Sequence, residues 1–405
     1  MRVLFLSPGY PGEMPYFCRG LAAVGAEVVG VGDQPAGALP AMARQALGDY
    51  VQVPSLWDED GMVRAITSWQ GARGIDRVEC LWEPGMLVAA RVREALDLPG
   101  MTYAQTVPFR DKEAMKRVLD AAGLRTPRHR SATSGQEVRA AAEEIGYPLI
   151  VKPIAGAGSA DTHRVDDPPA LERVLALTRH VPEVSVEEFV DGREFTFDTI
   201  CADGVPRYHN VTWYRPRPLL ARTHEWISPQ MVALKHPEQD ELAGGVHLGL
   251  GVLRALGFRD GFTHMEWYLK DDGEAVFGEI GARPPGARSV DLMNYACDFD
   301  AFTAWAEAVC HGRISQAVER RWNAAQIVKR AHGQGRIRRI EGLGAIMARF
   351  GRWIPSVELL PVGAPRRDWK ATLLSDGYVV VRHPQLDHCL EMADAIAGEL
   401  QLHAG

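Results

Sequence analysis

The sequence predicts an α/β fold that passes into α+β: a parallel sheet first, antiparallel hairpins in the middle, and a mixed C-terminal segment. Two observations carry this. Strand-like and helix-like runs alternate through residues 1–105, the βαβ pattern that implies a parallel sheet. Beyond that point, apolar runs are joined by short turns such as Asp191-Gly192, Asp203-Gly204 and Asp272-Gly273, which read as antiparallel hairpins. A chain of 405 residues divides into two or three domains, and boundaries are expected near 105 and 315.

In order, Val3–Leu6 reads as a buried strand, followed by a Gly9/Gly12 loop and an apolar-periodic helix through Leu21 and Val24. The loop is not GxGxxG, so a dinucleotide fingerprint is absent. It reads as an ordinary strand-to-helix turn, though loops at the C-terminal ends of parallel strands often line a site. Glu27–Val31, Tyr50–Val53 and Val78–Leu81 complete the parallel set, with helices near 59–69 and 86–96. Asp111–Ala122 and Ser134–Ile145 are amphipathic helices closed by Gly123 and Gly146. Strands follow at 149–152, 184–190 and 194–201, and helices near 237–256 and 298–311 flank the last hairpin. The tail shows strands near 335–340, 357–360 and 378–382 and a helix from about Asp387 to Leu402.

Composition narrows the function. A formal charge of −7 argues against nucleic acid as a partner. Six scattered cysteines without a CxxC pair disfavour a zinc site or disulfide framework and suit a reducing, cytoplasmic setting. The N-terminal apolar run is too short for a signal segment, and no run of about eighteen apolar residues spans a membrane.

Glu266 and Glu279 are the most informative residues. If the hairpin tip centres on Asp272-Gly273, these two carboxylates face each other across the strand pair. Like charges directly opposite are unfavourable, and a cation between them relieves the repulsion. Mg²⁺ suits such a place, since one or two carboxylates with substrate phosphates are its usual ligands. Lys152 ends a strand beside the small-residue stretch Ala155–Ala160, a way to hold polyphosphate. Lys112 opens a helix, where a cation is mildly unfavourable unless an anion is near. Val186–Glu194 runs from a strand through a turn, with backbone for a purine edge and Glu194 for ribose hydroxyls. Arg283 and Arg288 follow the second glutamate in a proline-stiffened stretch, where planar guanidinium groups suit phosphate or carboxylate.

These five blocks, in this order from Thr106 to Asp300, resemble the ATP-grasp superfamily. The resemblance implies a pre-ATP-grasp domain (1–105), an ATP-grasp domain (106–315, in halves 106–190 and 191–315) and a C-terminal domain (316–405). It also implies roles. Lys112 and Lys152 would contact the ATP phosphates, and Gly156, Gly158 and Ser159 would belong to a lid over them. Glu187 would meet the adenine amino group, Glu188 and Val190 would offer backbone, and Glu194 would hold the ribose. Glu266 and Glu279 would ligate Mg²⁺ or Mn²⁺, with Gly281 standing where many members carry a further Asn ligand. Arg283 would steady the transferred phosphate, and Arg288 would grip a substrate carboxylate.

The shared chemistry is attack of a carboxylate on ATP, then displacement of phosphate by a nucleophile, most often an amine. The Glu-Ile-Gly-Ala-Arg-Pro-Pro-Gly stretch is similar to that of amino-acid and dipeptide ligases, so small carboxylate and amine substrates are expected. A homodimer is a family-level expectation. An ATP-dependent carboxylase of the biotin-carboxylase or carbamoyl-phosphate-synthase kind, and a non-catalytic ATP-binding subunit, are the alternatives. His264 shares a strand face with Glu266 and either positions a substrate or is hydrogen-bonded structure. Arg215 and Arg217, in an aromatic and basic stretch, either form a substrate pocket or lie on a surface loop.

Overall fold

The structure, a computed structural model, describes residues 1–154 and 161–405. Four strands, β1 (Arg2–Leu6), β2 (Glu27–Gly32), β3 (Leu47–Gln52) and β4 (Arg77–Cys80), form a parallel sheet in the order β3-β2-β1-β4. Each is followed by helical structure, so every return crosses a face and the strands run the same way. Val3, Leu4, Phe5 and Leu6 are fully buried, as a strand covered on both sides requires.

The helix Met14–Ala23 fixes this unit to the remainder. Phe17 packs its ring against Phe262, Phe302 and Trp305. A Cβ on Gly20 would meet the Phe302 carbonyl oxygen at 2.6 Å, so only glycine lets the helix Ala301–His311 approach so closely. One apolar core therefore joins the N-terminal unit to the large sheet.

A second sheet holds β5 (His129–Ala132), β6 (Leu149–Pro153), β7 (His163–Val165) and β8 (Val184–Glu188), antiparallel in the order β5-β8-β6-β7. The third and largest contains β9 (Arg193–Ala202), β10 (Val205–Asn210), β11 (Thr212–Arg215), β12 (Gln230–Ala233), β13 (Gly261–Leu269), β14 (Ala275–Gly281), β15 (Asn323–Val328), β17 (Ser356–Leu359) and β18 (Gly377–His383). Its order is β14-β13-β9-β11-β12-β15-β18-β17, with β10 also on β9. β16 (Ile337–Glu341) and β19 (Gln401–Ala404) pair separately. β15, β17 and β18, all after residue 315, thus continue the same sheet as the carboxylate hairpin. The fully buried β15 was not expected from its Ala-Ala-Gln composition, which has little strand preference.

Candidate active site

One face of the large sheet is polar. Along β9 the residues Glu194, Thr196 and Asp198 alternate with Phe195 and Phe197. Neighbouring β13 sets Tyr268 beside Glu194, Glu266 beside Thr196, and His264 beside Asp198. β14 then places Glu279 opposite Glu266, as the sequence predicts. The route differs in one respect. The tip pairs Leu269 with Ala275, a register that would bring Gly278 opposite Glu266, and a bulge between Glu266 and Trp267 inserts the extra residue. A Cβ on Gly278 would meet the Glu266 carbonyl oxygen at 2.8 Å, so the bulge needs glycine there.

The opposed carboxylates have unequal partners. Lys112 Nζ lies 3.2 Å from Glu279 Oε2, reaching across from the first turn of the helix Lys112–Ala121, which is capped by Asp111. Burial raises the Glu279 pKa, but Lys112 and then Lys152 outweigh it and hold it low. The one cationic side chain within 4 Å of Glu266 among the described residues is His264, whose Nε2 lies 3.6 Å away. The other ring nitrogen, Nδ1, sits 2.6 Å from Asp198. Burial would discharge His264, yet Asp198 reverses that and lifts it to about 9, so the ring is a cation between two acids. Asp198 also accepts from Thr196 Oγ1 at 2.7 Å. Glu194 is pushed up to about 8, by burial first and by Glu266 next.

Lys152 Nζ is 2.9 Å from Glu187 Oε2. Lys116, one turn along from Lys112, holds the other Glu187 oxygen and lies 3.2 Å from Ser185 Oγ. Burial opposes ionisation of Glu187, but Lys116 and Lys152 keep its pKa well below the ordinary carboxylate value. In this structure Glu187 anchors two lysines instead of presenting an open edge to a purine. Glu188 turns its carboxylate to Arg125 at 3.0 Å. The residues Gly156, Gly158 and Ser159 lie outside the described residues.

Arg217 does not stand in a separate substrate pocket. It donates to the Val190 carbonyl at 3.0 Å, lies 3.4 Å from Glu194, and is sandwiched between Phe189 and Tyr268. That is the side where Val190 and Glu194 were expected to hold adenosine. Arg215 turns away altogether, to Gln230 at 2.8 Å and to Asp394 on the last long helix at 3.2 Å. Arg215 shares the strand face of Trp213, which pairs with Phe195 on the apolar side of the sheet, where that helix packs against β15 and β18.

Arg283 donates Nε to Glu83 at 2.6 Å. Glu83 also pairs with Arg110. Sequence reasoning missed Glu83 and Asp198. Glu83 sits just past β4, at the C-terminal end of a parallel strand where site loops gather; Asp198 was visible in the polar–apolar alternation of β9. Arg288 has a left-handed backbone, φ +62°, and gives its N–H to Glu13 at 3.0 Å. Its side chain lies 2.8 Å from Asp291 and stacks on Tyr16. One guanidinium and two carboxylates thus meet between the N-terminal loop and the segment after Glu279.

Two carboxylates facing each other fit a divalent cation that takes its remaining oxygens from a ligand. Among the described residues no group of three or more His, Cys, Asp or Glu could hold a metal unaided. No helix there is long and apolar enough to cross a membrane.

Residues 109–208 match the model of an ATP-grasp domain. An uncharacterized protein, y4rH, of Sinorhizobium fredii is 28% identical over 261 residues, 63% of this chain and 49% of that protein. The L-arginine-specific L-amino acid ligase of Bacillus subtilis is 25% identical over 218 residues, 52% of each. The chain therefore spans about half the length of these curated relatives. The crystal structure of an L-amino acid ligase from Bacillus licheniformis superposes with a TM-score of 0.80 at 21% identity, covering 100% of this chain and 98% of that one. The two share the fold.

Proposed function

We propose that this chain, an ATP-grasp protein, is a carboxylate–amine ligase. A substrate carboxylate oxygen attacks the γ-phosphorus of ATP, the bond to ADP breaks, and an acyl-phosphate forms. An amine then attacks the acyl carbon, phosphate leaves with the bonding electrons, and the amine gives up a proton. The observation that carries this is the facing pair Glu266 and Glu279, with Lys112 and Lys152 on one side and Arg283 close by in sequence.

Phosphoryl transfer needs positioning and charge neutralisation more than covalent help. Lys112 and Lys152 supply the positive charge for the phosphates, and Glu187 with Lys116 holds Lys152 in place. Val190, Glu188 and Glu194 take the adenosine end, with Arg217 clamped between Glu194 and Val190. His264 orients Glu266 and tempers its charge. Arg283, steadied by Glu83, faces the transferred phosphate. Glu266 and Glu279 would hold Mg²⁺ or Mn²⁺, which would supply positive charge to offset that of the phosphates.

Arg288, Glu13 and Asp291 together suit a zwitterion: a guanidinium for carboxylate, two acids for ammonium. The likeness to proteins named as L-amino acid ligases supports amino acids on at least one side. The setting we infer is cytoplasmic, and the assembly a homodimer.

The test is ADP release by the purified chain with L-amino acids supplied in pairs. ADP and phosphate should appear together only when carboxylate and amine are both present. ADP release driven by bicarbonate without an amine would point to a carboxylase instead. Tight ATP binding with no ADP from any mixture would leave a non-catalytic subunit.

A further inference from the structure

A cavity of about 300 Å³ lies between the N-terminal sheet and the strands that carry the two glutamates. Arg77, Glu79, Arg93, Met101, Phe262 and Ala282 are on its wall. None of Glu194, Asp198, His264, Glu266, Glu279 or Arg283 is on its wall. Arg77 and Glu79 neutralise each other as an ion pair. Arg259 and Asp260, also on the wall, are of opposite sign.

Arg93 is left over. Only 9% of it is exposed, and no carboxylate lies within 4 Å of it among the described residues. Nε donates to the Val78 carbonyl at 3.0 Å and Nη1 to the Met101 carbonyl at 2.8 Å. Among those residues Nη2 has no hydrogen-bond partner. A guanidinium cannot shed its proton, and a buried charge is costly unless paired. Two carbonyls offset part of that cost, and the space beside the third nitrogen can hold what offsets the remainder.

We propose that this cavity binds a small oxyanion, a carboxylate or a phosphate, on the fork of Arg93. The volume admits a molecule of amino-acid size. The ligand would touch both the N-terminal unit and the strand end next to Arg283, so occupancy would tie the two together. This does not depend on the ligase reading.

The test measures thermal unfolding of the full chain with sodium acetate or inorganic phosphate, ionic strength being held constant with chloride. One or both should raise the midpoint by about 2 °C or more, as ligand binding to the native state does. Arg93→Met should abolish the rise. So should Met101→Trp, which fills the space and keeps the carbonyl that Arg93 uses. The anion that responds identifies the source. No rise beyond chloride in the unaltered chain would overturn the proposal, as would a rise that survives Met101→Trp. If Arg93→Met does not fold, Met101→Trp decides.

Discussion

Two clusters of acids and bases lie side by side in this molecule, and they are balanced in opposite senses. On the small sheet, Glu187 and Glu113 are surrounded by Lys116, Lys152 and His129. Both acids titrate low, Glu113 at about 2, because nearby cations overcome the effect of burial. On the large sheet, the four acids Glu194, Asp198, Glu266 and Glu279 have three cations within 4 Å among the described residues, Arg217, His264 and Lys112, and Glu194 is driven up to about 8. The first cluster is closed: every charge has its partner, so it is scaffold. The second carries negative charge in excess of its partners, which is what a site awaiting a cation looks like. Lys152 belongs to both, since it pairs with Glu187 and also lowers Glu279.

The sharpest way to break that comparison is Glu279→Gln. It keeps the shape and removes half of the facing pair. ADP formation should fall on the order of a thousandfold, while the unfolding midpoint falls only modestly, because Lys112 loses its partner but Glu266 loses an opposing charge. A coupled ADP assay beside a thermal melt checks both. A large loss of stability would mean that the hairpin pair is structural.

The closed cluster should respond the other way. Lys116→Met leaves a buried carboxylate with one lysine in place of two. Removing one partner of a buried pair costs about 3–5 kcal/mol, read as a shift in the denaturant midpoint. Affinity for ATP should weaken less than in Lys152→Met, since Lys152 is the lysine proposed to face the phosphates. Equal stability of Lys116→Met and the unaltered chain would sink the notion of a scaffold.

How much of this the sequence discloses follows the same division. The facing glutamates were legible because a turn fixes pairing at short range. The bulge at Gly278 was not, since a single Gly before Glu279 reads as ordinary strand. Lys112 and Lys152 stood out through position at a helix start and a strand end. Lys116 did not, because a helical lysine is normally solvated, and only packing of that helix onto β8 buries it. Arg215 and Arg217 are two residues apart, yet β11 ends at Arg215, which reaches Asp394 of the helix Leu386–Glu399, while Arg217 lies beyond the strand and donates to the Val190 carbonyl. The parallel sheet was readable from βαβ periodicity. The joining of residues 323–383 to the central sheet was not, since it rests on contacts far apart in the chain.

His264 gives the finest test, because it sits where surplus negative charge is greatest. The folded protein holds its proton to about pH 9, above the ordinary imidazole value of 6.5. A raised histidine contributes stability that is complete below about pH 6.5 and is lost as pH rises through 9. The stability of the unaltered chain relative to His264→Gln should therefore shrink between pH 6 and pH 10, by at most about 3 kcal/mol. Denaturant melts of both proteins across that range measure it. ADP formation should decline over the same alkaline limb, since Glu266 loses its neighbouring cation. If the gap between the two proteins stays flat with pH, His264 is neutral at pH 6. Asp198 would then only fix its tautomer, and the second cluster would be more negative still.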